Sequence, residues 1–95
     1  MKIDIYAHIF PQKYGAEIFK RVGERPLFMM QTNPTLTDLE ARFRILDKYN
    51  DVVQVLVPTG PPLESVASPK ETVEMAKIAN DEMAELVFLM VAHQL

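Results

Sequence analysis

Near its start the chain runs Ile3-Asp4-Ile5-Tyr6-Ala7-His8-Ile9-Phe10-Pro11, and His8 is one of only two histidines. Such a β-rich stretch predicts a strand, in which side chains alternate and residues two apart share a face. By that parity Asp4, Tyr6 and His8 fall on one side. Two metal ligands at i, i+2 spacing could grip one ion from the end of a strand. His8 is the better donor of the pair. Tyr6 is a poor one, because its phenol has a reference pKa of about 10 and must lose a proton to bind metal well. The plainer expectation for Tyr6 is an aromatic packed inside a sheet layer. A single histidine near a strand end is also more often structural than ligating. Asp4 is then either a supporting partner of such a ligand or a buried polar residue that needs partners of its own.

Other residues carry weaker signals. Thr59 and Gly60 follow the second apolar run. In parallel βα folds the C-terminal strand ends carry the active site, so Thr59 is a candidate substrate contact. A turn threonine bonding its own backbone is the commoner role. Asn80 interrupts an apolar helical stripe and is expected to tie that helix to a neighbouring loop. Asp81 and Glu82 are expected on the solvated face. His93 has no partner at a recognisable spacing and is expected to be exposed. The three glycines are isolated, so no phosphate-binding loop exists.

These residues need a frame. Residues 2–8 read as a short strand stopped by Pro11. Tyr14, Ile18, Phe19 and Val22 are spaced for one face of a helix over 13–22, with Gly23 as its natural end. Residues 24–34 read as a loop with apolar anchors such as Met29 and Met30. Thr37-Asp38-Leu39-Glu40 has the form of a capping box with Thr37 as the cap. Leu39, Phe43, Leu46 and Tyr49 continue it at helical spacing. Residues 52–57, Val-Val-Gln-Val-Leu-Val, suit a strand covered on both faces, as in a parallel sheet. Ser68-Pro69-Lys70-Glu71 is a second capping box with proline at the favoured first position. Val73, Ala76, Asn80, Met83 and Val87 mark the stripe of a long helix. Residues 88–92 form a last apolar run that reads as a third strand. The order β-α-loop-α-β-loop-α-(β) implies parallel βα units and an α/β fold.

Composition narrows the classes of function. A chain of 95 residues makes one small domain, and 48% hydrophobic content is enough for a compact core. A net charge of −3 with no basic run argues against a nucleic-acid binder. No cysteine is present, which excludes disulfides and thiolate metal sites. No signal peptide is evident at the N-terminus. No apolar run approaches the roughly 20 residues of a membrane helix. A cytoplasmic protein that binds no membrane is the expectation.

Taken together, these residues resemble the amidohydrolase superfamily, in particular the amidohydrolase-related branch that contains the aminocarboxymuconate-semialdehyde decarboxylase-like enzymes. Those proteins open with a strand of the form Ile-Asp-x-His-x-His followed by proline. The match here is Ile3-Asp4-Ile5-Tyr6-Ala7-His8, then Phe10-Pro11. It continues through Leu46-Asp47, Val53-Gln54-Val55-Leu56 and Gly60-Pro61-Pro62. It is closest at Ala79-Asn80-Asp81-Glu82, followed by Ala84-Glu85-Leu86-Val87.

The resemblance implies a metal-dependent (β/α)8 TIM barrel, a fold that typically takes about 250 residues. Residues 1–95 would then form a partial amidohydrolase-related domain, its first two to three βα units. Residues 88–95 would be either a third strand or an unrelated tail. In the family the two first-strand histidines help hold a divalent metal, often zinc, which activates a water or polarises the substrate. His8 inherits the second of those ligand positions, and Tyr6 replaces the first. Members hydrolyse C–N and related bonds or remove a carboxylate from a small carboxylic acid. With further ligands far downstream in the family, the isolated chain is expected to bind metal poorly, to be inactive and to self-associate. The competing expectation is a non-catalytic α/β module that self-associates or binds a partner.

Overall fold

The computed structural model describes residues 1–23 and 32–94. Most of the loop expected over 24–34, including Met29 and Met30, lies outside the described residues. The described elements are strand β1 (Lys2–Ile9), helix α1 (Gln12–Val22), a single turn α2 (Pro34–Thr37), helix α3 (Leu39–Leu46), strand β2 (Val52–Pro58), a 3-10 turn (Leu63–Ser65) and the long helix α4 (Pro69–Gln94). β1 and β2 pair in parallel in a two-stranded sheet, so the chain is mixed α/β.

Three elements depart from the sequence expectation. Residues 88–92 are not a strand; they continue α4. Nothing in this stretch breaks a helix nucleated at Ser68, and Leu, Met and Ala are strong helix formers. Thr37 does not cap α3. It closes α2, and Asp38 takes the cap, its Oδ1 accepting from the Glu40 N–H at 3.0 Å. α3 ends at Leu46, which leaves Tyr49 outside the helix and 58% exposed.

The second capping box forms as its sequence predicts. The Glu71 N–H donates to Ser68 Oγ at 3.3 Å, and the Ser68 N–H donates to Glu71 Oε1 at 3.2 Å.

The core lies where α1 crosses α4. Phe10, Tyr14, Ile18, Met75 and Ala79 are buried together, with Val22, Leu36, Leu63 and Val66 packed around them. The buried seam of α4 is Met75, Ala79 and Glu82, at i, i+4, i+7 spacing. That seam is displaced from the predicted stripe, so Val73 and Val87 are exposed. Asn80 is exposed as well, and among the described residues it ties no loop down. Gly15 is required by this packing, because a Cβ there would stand 2.7 Å from Cε2 of Phe10. Gly23 ends α1 at φ 76°, a left-handed conformation that glycine adopts without strain.

β2 is not covered on both sides. Val53 and Val55 are 45% and 49% exposed, and Ile3, paired with Val53, is 59% exposed. Ala7 and Ile9 point the other way and are buried. The helices therefore lie against one face of the sheet, and among the described residues the other face is bare.

Candidate functional site

β1 positions its polar residues through an irregularity. Asp4 is in register with Gln54 and Ala7 with Leu56, so Ile5 and Tyr6 together oppose Val55. Such a two-against-one arrangement is a β-bulge, and it shifts the alternation by one step. Asp4 therefore keeps to the helix-covered face with Gln54, whereas Tyr6 and His8 turn to the bare face with Val55 and Val57. The three residues do not share one side, as regular parity predicts. Asp4 helps form the irregularity, since its Oδ1 accepts from the Tyr6 N–H at 3.0 Å.

Tyr6 and His8 do stay together. Their rings meet edge to face, with centroids 6.4 Å apart and planes at 61°. Tyr6 is 73% exposed, so it is not the aromatic of a closed sheet layer. His8 is exposed too, two residues before β1 leaves the sheet. Thr59 follows the end of β2, and its N–H donates to the Ile9 carbonyl at 2.8 Å. Both sequence candidates thus sit at the C-terminal end of the parallel pair. An open cavity of about 240 Å³ is bordered by Asp4, Tyr6, His8, Thr35, Arg42 and Gln54, but not by Thr59.

Arg42, on α3, holds this end of β1 in place. Its Nε donates to Gln54 Oε1 at 3.0 Å, and its Nη1 donates to the carbonyls of His8 at 3.0 Å and Thr35 at 2.9 Å. One side chain thereby joins β1, β2 and α2. The residue is only 5% exposed. Burial pushes the guanidinium pKa down, and the negative charge of Asp4 opposes that shift.

Glu82 holds the strand's exit. Pro11 occupies the cap position of α1 and offers no side-chain acceptor. Glu82 reaches across from α4 instead: Oε2 accepts from the Lys13 N–H and Oε1 from the Tyr14 N–H, both at 2.9 Å. A carboxylate there satisfies two free donors and meets the positive end of the helix dipole. Glu82 is 7% exposed, not solvated as its sequence neighbourhood suggests. The Tyr14 phenol that follows has its pKa raised by burial.

Sequence reasoning missed both buried charges, although a signal existed. Arg42 falls three after Leu39 and four before Leu46, which is the inner face of α3. Glu82 falls three after Ala79. His93 also has partners. Its ring stacks on Phe43 with centroids 3.9 Å apart and planes at 3°, and its Nε2 lies 2.9 Å from Asp47 Oδ1.

Among the described residues no three His, Cys, Asp or Glu side chains gather. His8 and Tyr6 supply two donors, whereas a catalytic zinc takes three protein ligands and a water. The residues described here therefore do not by themselves fit the ion. Among the described residues no helix is long and apolar enough to cross a membrane. No protein-family model matches the chain, and no curated protein matches it.

Proposed function

We propose that this chain is the opening part of an amidohydrolase-related TIM barrel, a metal-dependent carboxy-lyase or hydrolase for a small carboxylic acid. The observation that carries the reading is the position of His8. It stands on the bare face of a parallel strand pair, at the C-terminal end, with the helices behind. That is where a wall of a (β/α)8 barrel presents its functional side chains. In this reading the bare apolar strip of Ile3, Val53 and Val55 faces the barrel interior. His8 would be one ligand of a divalent metal such as zinc, with Tyr6 at the first ligand position. When bound, the metal would supply Lewis-acid chemistry. This chain's contribution is to orient: Arg42 fixes the His8 carbonyl and Glu82 fixes the turn after it. A cytoplasmic setting belongs to the same reading.

The test is a fusion of residues 1–87 to the downstream part of a related full-length decarboxylase. Metal-dependent turnover that His8→Ala removes, and that Tyr6→His raises, is the expected result. A folded, active fusion that is indifferent to His8→Ala overturns the ligand assignment.

A second reading is favoured by the bare face itself. Between Ile3 and Val57 it presents only apolar side chains and Tyr6, flanked by His8. None of Ile3, Tyr6, Val53, Val55 and Val57 carries a charge, so a second copy can pack this face on itself in an isologous contact. In that reading the chain is a non-catalytic α/β module that self-associates. Sedimentation that gives a monomer at all concentrations rules out self-association through this face and counts equally against an isolated barrel fragment.

A further inference from the structure

α4 carries a second apolar repeat that its own fold does not use. Val73, Ala76, Asn80, Met83, Val87 and Met90 recur at alternating steps of three and four residues. At about 100° per helical residue, this stripe lies roughly 100° around α4 from the buried seam of Met75, Ala79 and Glu82. Val73, Asn80 and Val87 are exposed, and Ala76, Met83 and Met90 are half-buried. Phe88 and Val91 widen the same surface and are 73% and 53% exposed. Packing against α1 explains the seam and leaves the stripe unused. A strict alternation of three and four is the repeat that keeps one side of a helix facing an equal helix wound around it.

The middle of the stripe points to a second copy of this chain as that helix. Asn80 stands seven residues from Val73 and seven from Val87. Its amide both donates and accepts, so it is complementary to itself, whereas an apolar partner would leave it unsatisfied. Valine at the equivalent positions of a parallel pair favours two strands, and a single asparagine among them fixes the register. The margins do not oppose pairing. Between Thr72 and Val91 the positions flanking the stripe include one charge, Lys77, whose Nζ lies 3.6 Å from Glu74 of the same helix. Orientation follows from where the apolar exposure lies. Val87, Phe88 and Val91 are in the last third of α4, with Val73 alone near its start. Parallel pairing sets that apolar end against its own copy. Antiparallel pairing about Asn80 would set it against the polar start of the helix, near Pro69 and Thr72.

We propose that α4 is a self-pairing helix, through which two copies of this chain join in a short parallel coiled coil along residues 73–90, with Asn80 meeting its copy at the centre. The contact is about 27 Å long at 1.5 Å per residue. Its alanine and methionine positions fill the seam less well than leucine would, so the pairing is weak. It uses neither His8 nor the bare face of the sheet, and it stands apart from both functional readings.

The test separates the two surfaces by taking Val55→Lys, which charges the sheet face, as the background. In sedimentation this protein should still pass from monomer to dimer between about 1 μM and about 1 mM. Adding Val87→Lys, at a half-exposed site, should leave a monomer with unchanged circular dichroism. Adding Asn80→Val instead removes the polar pair from the seam and should tighten the dimer by about tenfold or more. The chain has no cysteine, so a single one reports cleanly. Adding Val87→Cys should give a disulfide-linked dimer on oxidation, because parallel pairing brings the two Cα atoms within roughly 7 Å. Antiparallel pairing about Asn80 would hold them about 21 Å apart. A Val55→Lys protein that stays monomeric at about 1 mM, or a dimer that survives Val87→Lys, would overturn the proposal. So would a dimer that Val87→Lys breaks but Val87→Cys cannot lock.

Discussion

The two faces of the β1–β2 pair are made from the same kinds of residue and meet opposite fates. On one, Ala7 and Ile9 are each 4% exposed and lie under helices. On the other, Ile3 and Val53 form a cross-strand apolar pair that is 59% and 45% exposed. The covered face carries polar ties at its margin as well as apolar packing. Glu82 joins α4 to α1, and Arg42 joins α3 to both strands. Apolar alternation makes a face able to be covered. Placement of the cover depends on these few directional bonds, and nothing described supplies them on the bare side.

Removing such a tie should give the largest effect. Glu82→Leu keeps the bulk but leaves the Lys13 and Tyr14 amides without acceptors at a buried site. A loss of about 3 kcal/mol is expected, read by urea melting. A near-neutral result would mean that packing alone holds α4 on α1.

Overpacking the same side should cost less. Gly15→Ala drives a Cβ against the Phe10 ring, which is itself buried. A destabilisation of about 1–3 kcal/mol is expected, relieved by Phe10→Leu in the same molecule.

Acid should loosen the covered side through the first turn of α4. The hydrogen bonds from Ser68, then the charge of Arg21, hold the Glu71 carboxyl below its ordinary pKa. A carboxyl lowered on folding stabilises fully above its unfolded value, and that contribution fades as pH falls through the lower folded value. Wild type should therefore lose stability across the acidic carboxylate range more steeply than Glu71→Gln. Parallel pH profiles for the two proteins would remove Glu71 from the account.

The smallest change in stability belongs to the bare face. Val55→Lys should alter the melting free energy by no more than about 0.5 kcal/mol, since the side chain is already half exposed. Any self-association through that face should weaken at the same time. A large loss of stability would show that the face is covered after all.

What the sequence made legible follows the range of the interaction. The Ser68 capping box was readable because donor and acceptor lie three residues apart. The parallel βα order was readable from strand-length and helix-length patterns. The face of Asp4 was not readable, because a bulge depends on pairing with β2 and leaves no mark in β1 itself. Glu82 looked solvent-facing, and His93, which is indeed exposed, looked partnerless, for the same reason: Lys13 and Asp47, which they meet, are far away in sequence. At the candidate site, His8 and Tyr6 proved to be neighbours as their spacing suggests, whereas Thr59 does not join their cavity.

The Glu82 cap also has a consequence in time. Its donors lie 68 and 69 residues away along the chain, and Pro11 offers no local substitute. A contact of that span closes one of the longest loops this polypeptide can make, with a corresponding entropic delay. α4 carries its own start signal at Ser68 and can begin to wind unaided. The first turn of α1 must wait for it. In pulse-labelled hydrogen exchange during refolding, the Lys13 and Tyr14 amides should gain protection after those in the middle of α4. Simultaneous protection would mean that α1 winds without its distant cap.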